Sequence, residues 1–183
     1  AVVGHLGTPQ LAGLALASTV LVTLVAAFNF LAYATTAAVA RKIGAGDSKG
    51  AVEVGIDGVW LALLLGLALT VLGMTLAPAV LTSLGGTGEV LPHAVDYLRW
   101  SAPGIPGMFV VLAGTGALRG MQDTRTPFVI AVAGAITNAV LCVTFVYGFG
   151  MGIAGSGLST AVAQIGMALT MLIVLVRGAR GRG

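Results

Sequence analysis

The residues of this chain best suited to chemistry are amides and hydroxyls that fall inside long apolar stretches. They are Asn29, Asn138, Thr144, Thr160 and Gln164. An asparagine amide carries two donors and an acceptor, and burying these groups unpaired is costly. At membrane depth they serve either hydrogen bonds between helices or a polar cavity. We predict that Asn29, Asn138, Thr160 and Gln164 line a substrate or proton cavity, with interhelical hydrogen bonding as the alternative.

One stripe combines acids with a histidine, because Glu89, His93 and Asp96 follow each other at i, i+4 and i+7. On a helix these side chains share one face and could in principle hold a metal. The stripe borders an apolar stretch, and no second ligand cluster accompanies it. We therefore interpret it as the water-exposed end of an amphipathic helix. The sequence shows no nucleophile–base pair, metal cluster or phosphate loop. We therefore predict that the protein is not an enzyme and has no cofactor or metal.

The composition excludes several broad classes of protein. Of the 183 residues, 57% are hydrophobic and only 8% are charged, and the mean hydropathy is +1.03. Soluble domains carry about 25% charged residues. These values exclude a cytosolic enzyme, a nucleic-acid-binding protein and a disordered tail. The sequence pI near 9.5 then reflects cations at the edges of a bilayer, so we expect no nucleic-acid partner.

The positions of the charges divide the chain into apolar stretches long enough to cross a bilayer, which takes about 20 residues. The uncharged run from 126 to 176 is interrupted at 148-GFGMGIAGSG-157, where repeated glycines disfavour a helix. We predict an all-α polytopic membrane protein, with 1–183 forming a single membrane domain of about five transmembrane helices. The predicted spans are 11–39, 56–83, 96–118, 126–147 and 156–176.

The basic residues fall in alternate connections between these spans. Loop 41–50 holds three, loop 119–125 holds two and the tail 177–183 holds three, whereas the connections 84–90 and 148–155 hold none. Lys and Arg are enriched in cytoplasmic loops of membrane proteins. We therefore expect a multi-pass protein of the cell membrane whose two basic loops and C-terminus are cytoplasmic.

Small residues and prolines indicate how the helices pack and bend. Gly13 with Ala17, and Gly116 with Gly120, are spaced so that they allow close contact between helices. Proline removes a helical hydrogen bond. We predict a hinge at Pro103 and Pro106 near one end of the third span, with a static bend as the alternative.

Four stretches carry a resemblance to a known family. They are 1-AVVGHLGTPQLAGLALA-17, 34-ATTAAVARKIGAGDSKGAVEVG-55, 118-LRGMQDTRTPFVIAVAGAITNAVL-141 and 145-FVYGFGMGIAGSGLSTAVAQ-164. Together they resemble the amino-terminal lobe of multidrug and toxic compound extrusion (MATE) transporters, in the DNA-damage-inducible F branch. The phrases "AVARKIGAGD" and "LRGMQDTRTP" are the most specific. The five predicted spans fit helices two to six of that lobe.

The resemblance implies a function. MATE transporters have twelve helices in two lobes and export cationic or amphipathic compounds in exchange for protons or sodium ions. Their polar cluster is matched here by Asn138 and Thr160. An essential Asp would fall just before Ala1, because Ala1 and Gly4 match the end of its phrase. Cys142 occupies a position where some members have an acid, which favours protons over sodium.

The resemblance also implies the partners. They are the lipid bilayer, a drug-like small molecule, a proton or sodium ion and a carboxy-terminal lobe. We interpret the chain as part of a longer or paired protein. Two other functions stay open: a flippase of lipid-linked saccharide from the same superfamily, and a membrane scaffold subunit without transport activity. Basic residues in the cleft would favour the flippase, because its substrates carry phosphates. No Lys or Arg falls in the middle of a predicted span, which counts against it.

Overall fold

The computed structural model describes residues 7–180, with only the backbone of 179 and 180, and the secondary structure in that range is helical throughout. The helices are α1 (Thr8–Ala27), α2 (Phe30–Gly44), α3 (Ser48–Ser83), α4 (Val90–Ser101), α5 (Ile105–Gly120), α6 (Arg125–Val143) and α7 (Gly152–Arg180). A 3₁₀ turn, Ala102–Gly104, joins α4 to α5, and a π-helical turn, Thr144–Gly148, ends α6. Five segments in this range are long and apolar enough to cross a membrane, which confirms the predicted fold class.

The outer surface of the bundle is apolar, as a membrane protein requires. Leu64, Phe128 and Ile136 each expose more than half of their surface, at 63%, 68% and 61%. Soluble proteins rarely expose large contiguous apolar patches. These side chains therefore suit contact with lipid, and the chain is a multi-pass membrane protein.

The helices extend beyond the apolar stretches that predicted them. The connections shrink to residues 45–47 and 121–124, so the predicted loops 41–50 and 119–125 were too long. Arg119 belongs to the last turn of α5, and cations there are favoured by the helix dipole. Asp47 caps α3 by accepting a hydrogen bond from Gly50 N at 2.8 Å. That bond, together with the Lys42 ammonium at 2.9 Å, holds the pKa of Asp47 below its ordinary value.

The first predicted span, 11–39, is not a single helix. The regular pattern of hydrogen bonds breaks at Phe28 and Asn29, where Asn29 N donates to Ala26 O at 3.4 Å and Leu31 N donates to Phe28 O at 3.0 Å. Residues 21–40, which surround the break, contain neither proline nor glycine. Tertiary packing accompanies the break instead, because the ring of Phe28 lies 5.0 Å from that of Phe109 on α5.

Helix α5 is the centre of the bundle and packs against α2, α3 and α7. A Cβ atom at Gly120 would lie 2.8 Å from Thr36 O on α2, and one at Gly116 would collide with the backbone of Ala32. Thr36 Oγ1 also donates to Gly116 O at 2.9 Å. The glycine pair predicted for close packing therefore lies where two helix backbones meet.

The other predicted pair lies between α1 and α4. A Cβ atom at Gly13 would be 2.9 Å from Ala94 N, and Ala17 is fully buried. Both pairs thus permit close backbone approach, which is the usual role of small residues between membrane helices.

The two prolines lie where the third segment bends. Pro103 is part of the 3₁₀ turn, and Pro106 is in the first turn of α5. A Cβ atom at Gly66 of α3 would lie 2.5 Å from Pro106 Cα, so α3 packs directly on this bend. The bend is present, and its role as a hinge stays a prediction.

Candidate functional site

The four predicted cavity residues all line one cavity of about 520 Å³. Asn29 comes from the break between α1 and α2, Asn138 from α6, and Thr160 and Gln164 from α7. Thr115 and Arg119 of α5 add two further polar side chains. The rest of the wall is apolar, formed by Val25, Ala32, Met108, Val111, Leu112, Ala131, Gly134, Ala135, Ala163 and Met167.

Helical periodicity places these residues on common faces. On α5 the cavity is lined at positions 108, 111, 112, 115 and 119, on α6 at 131, 134, 135 and 138, and on α7 at 160, 163, 164 and 167. Residues three and four apart share one side of a helix. The cavity therefore lies between α1–α2 on one side and α6–α7 on the other, with α5 as its floor.

Asn138 brings an acceptor to this wall that lacks a partner. Its Oδ1 atom is buried and forms no hydrogen bond with any residue in the described part of the chain. Buried polar atoms are nearly always paired, and an unpaired acceptor costs about 1–3 kcal/mol. An acceptor kept free at a cavity wall is suited to a donor on a ligand or to a protonated acid.

The hydroxyl group of Thr160 contacts that of Tyr97, a residue that the sequence analysis did not identify as a candidate. Its Oγ1 lies 3.1 Å from Ser156 O and 3.3 Å from the hydroxyl oxygen of Tyr97 on α4. Thr160 has one hydroxyl proton, so when it donates to Ser156 O, Tyr97 must donate to Thr160. Tyr97 is 6% exposed. A buried tyrosine usually needs a hydrogen-bond partner, but nothing in the sequence shows that Tyr97 is buried.

Asn29 and Gln164 are less constrained. The Nδ2 atom of Asn29 lies 3.4 Å from the hydroxyl oxygen of Tyr33, which is a long contact at an exposed position. Both Asn29 and Gln164 are half-buried. Their amides can therefore adapt to a bound molecule.

Arg119 is the one charged residue in the cavity wall given by the described residues. The sequence predicted it in the loop 119–125; the structure places it in the last turn of α5, where its side chain is exposed and lines the cavity. No carboxylate of the described residues lies within salt-bridge distance of it, whereas Lys42 pairs with Asp47 at 2.9 Å.

Other candidates lie outside this cavity. Cys142 is one turn after Asn138, and its Sγ is 3.6 Å from Ser156 Oγ. His93 and Asp96 line a separate cavity of about 300 Å³ near the start of α7. Within residues 7–180 no three metal-ligating side chains come together. Ala1 and Gly4, which carry part of the family resemblance, fall outside the described residues, as does Arg182 of the basic tail.

Comparisons with known proteins agree with the resemblance. Residues 1–144 match the family described as MatE. The chain is 33% identical over 190 residues to the DNA damage-inducible protein F of Escherichia coli (strain K12), covering 99% of this chain and 41% of that protein. It is 30% identical over 176 residues to the probable multidrug resistance protein NorM of Listeria monocytogenes serotype 4b, covering 94% of this chain and 39% of that protein.

Solved structures of other proteins share this fold. An inward-facing structure of a multidrug resistance MATE family transporter of the MOP superfamily superposes with a TM-score of 0.88 at 29% identity. The match covers 94% of this chain and 39% of that chain. The chain thus spans about two-fifths of the length of the relatives it matches.

Proposed function

Because the chain belongs to the MATE family, we propose that it forms the amino-terminal lobe of an ion-coupled antiporter that exports drug-like compounds. The exported compounds are cationic or amphipathic, as the resemblance implies. The two lobes rock around a site near the middle of the membrane, as in other transporters built from repeats. A carboxy-terminal lobe completes the cleft, and the lipid bilayer surrounds both.

The observation that carries this proposal is the convergence of Asn29, Asn138, Thr160 and Gln164 on one cavity. A scaffold subunit would use such amides and hydroxyls at helix contacts. Here they come from three separate parts of the chain and face a common space of about 520 Å³. A mostly apolar cavity with a few convergent polar groups is the usual form of a small-molecule site.

We propose that the coupling ion is a proton, with sodium as the alternative, and that its carboxylate precedes Ala1. A protonated carboxyl group can donate a hydrogen bond to Asn138 Oδ1, but an ionised carboxylate cannot. The ionised form instead accepts a bond from the Asn138 amide, and one from the Thr160 hydroxyl when that hydroxyl releases its bond to Ser156 O. Protonation thereby changes the hydrogen bonding of the wall and, with it, the affinity of the cavity for its substrate.

The proposed location is the cell membrane, with the connections at 45–47 and 121–124 and the C-terminus on the cytoplasmic side. The support is the distribution of Lys and Arg, which flank these connections and are scarce at the opposite ends of the spans. Bending at Pro103 and Pro106 is proposed to accompany the rocking motion, because the two prolines occupy the bend between α4 and α5.

One observation favours a second candidate, the flippase of lipid-linked saccharide. Such substrates carry phosphates, for which arginine is a preferred ligand, and Arg119 lies in the cavity wall. A flippase would require this arginine for transport of a phosphate-bearing lipid. Drug export would persist without it.

The proposal is tested with Asn138→Ala and Thr160→Ala in the full-length transporter. We expect both variants to export fluorescent drugs more slowly and to show weaker dependence on the proton gradient. Thr75→Ala is the matched control, because Thr75 is exposed on α3 and its hydroxyl bonds only within its own helix, to Val71 O at 2.9 Å and Leu72 O at 3.2 Å. If export and coupling were unchanged in both cavity variants, the proposed mechanism would be wrong.

A further inference from the structure

We propose that Met167 of α7 determines the size of the substrate that the cavity accepts, and that Gly134 of α6 provides the recess that accommodates its side chain. This inference rests on the proposed function and narrows its substrate class to bulky amphiphiles that carry aromatic rings. It concerns the apolar part of the wall, whereas the proposed coupling concerns the amides and hydroxyls.

The side chain of Met167 lies directly on the backbone of Gly134. A Cβ atom at Gly134 would collide with Met167 Sδ and would lie 2.5 Å from its Cγ. Any other residue at this position would therefore displace the thioether. Gly134 is buried, Met167 is half-buried, and both residues line the cavity. The recess thus lies at the cavity wall, where a displaced side chain has open space to enter.

Small residues surround this recess. Ala131, Gly134 and Ala135 are the apolar residues by which α6 lines the cavity, and Ala163 lies one turn before Met167 on α7. Among the described residues that line the cavity, Met167 is therefore the one large apolar side chain supplied by α6 and α7. Its position decides how much free space this side of the cavity offers to a ligand.

Met171, one turn further along α7, makes a similar contact in a different setting. A Cβ atom at Gly114 of α5 would lie 3.0 Å from Met171 Sδ. Met171 is fully buried and does not line the cavity. The glycine–methionine contact at Met171 therefore fills the core between two helices. The contact at Met167 borders the cavity instead, so a shift of its side chain changes the space for a ligand.

Methionine is well suited to such a wall. Its unbranched side chain adapts to irregular spaces, and its sulfur makes favourable contacts with aromatic rings. Surfaces that contain methionine can repack around different ligands. Met108 of α5 also lines the cavity, whose volume of about 520 Å³ is in the range of sites for drug-sized molecules. These properties favour substrates with bulky aromatic groups.

The experiment compares two organic cations that differ in bulk and share one charge. The probes are methyltriphenylphosphonium and tetraphenylphosphonium, in which a phenyl ring replaces the methyl group. Binding of each radiolabelled probe to the purified full-length transporter is measured by equilibrium dialysis. The variants are Met167→Ala, Gly134→Ala and their combination. Gly166→Ala is the matched control, because a Cβ atom at Gly166 has no neighbour within 4 Å.

The measured quantity is the ratio of the affinity for the larger probe to the affinity for the smaller one. We expect Met167→Ala to raise this ratio by about fourfold, which corresponds to the burial of one further methylene group. Gly134→Ala should lower it by about the same factor, because the added methyl group pushes the thioether into the cavity. The control should leave the ratio unchanged.

The combined variant tests whether Gly134 acts through Met167. Without the thioether, the methyl group at position 134 displaces nothing, so the ratio should equal that of Met167→Ala alone. An equal effect of Gly134→Ala in the presence and absence of Met167 would overturn the inference. An unchanged ratio in Met167→Ala would also overturn it, even if Gly134→Ala failed to fold.

A further variant separates this inference from the proposed function. Asn138→Leu removes a polar group from the cavity and leaves Met167 and Gly134 in place. If it leaves the affinity for both probes unchanged, the cavity is not the binding site and the proposed function fails. If it weakens binding of both probes while Met167→Ala leaves the ratio unchanged, the cavity binds ligands and only the inference about size fails.

Discussion

Two adjacent faces of α5 differ in the size of their side chains. On one face Gly116 and Gly120 let the backbone of α2 approach until an added Cβ atom would collide with it. On the other face Met108, Thr115 and Arg119 border a cavity of about 520 Å³. Helices in lipid are held together mainly by close packing, because burial from water contributes little there. We therefore expect the glycine face to supply stability, whereas the cavity face borders the proposed ligand site.

The largest expected effect comes from filling the glycine face. We predict that Gly116→Leu lowers the free energy of unfolding by about 3 kcal/mol, because the new side chain must displace the backbone of α2. The measurement is chemical denaturation in detergent micelles.

Gly166→Leu on α7 is the matched control for this variant. A Cβ atom at Gly166 has no neighbour within 4 Å, so the same change should have little effect there. A Gly116→Leu protein as stable as the control would show that the α2–α5 contact does not hold the bundle together.

The wall of the cavity contributed by α6 should respond with the opposite sign. We predict that Asn138→Leu raises the free energy of unfolding by about 1–2 kcal/mol, because it removes a buried acceptor that has no partner among the described residues. Ligand binding should weaken in the same variant. Both quantities are measured on one preparation, by denaturation and by fluorescence titration.

Thr144→Val is the control for the stabilising effect. Thr144 follows α6, is exposed, and its hydroxyl bonds within the same helical segment to Val140 O at 2.9 Å. Loss of stability in Asn138→Leu would mean that its amide is structural, and the contrast between the glycine face of α5 and the cavity wall would disappear.

Much of the fold followed from counting charges, because a bilayer excludes them from the spans and leaves apolar stretches of recognisable length. The sequence also predicted that Asn138, Thr160 and Gln164 point away from lipid, since amides and hydroxyls at membrane depth must face protein or a cavity. Their roles as substrate or proton ligands stay predictions.

Three features depend on tertiary contacts that no local pattern records. The break at Asn29 has no proline or glycine to mark it. Arg119 lines the cavity because α5 continues past the apolar stretch, so that a residue predicted in a loop belongs to the last turn of a helix. Tyr97 is hidden in an amphipathic stretch, and its partner Thr160 is far away in the sequence.

The smallest predicted effect concerns Tyr97 of α4, and it tests whether this residue orients Thr160 in the cavity wall. We predict that Tyr97→Phe lowers the free energy of unfolding by about 1 kcal/mol, because the ring keeps its packing and only the bond to Thr160 is lost. Tyr33→Phe is the control, since its 3.4 Å contact with Asn29 is exposed and should contribute little.

A double-mutant cycle with Thr160→Val separates the bond from the packing of the ring. If the hydroxyls are bonded, Tyr97→Phe should cost less in a protein that already lacks the Thr160 hydroxyl. Fully additive losses would mean that Tyr97 does not orient Thr160. In that case the Thr160 hydroxyl would be oriented only by its own helix, and α4 would have no part in the site.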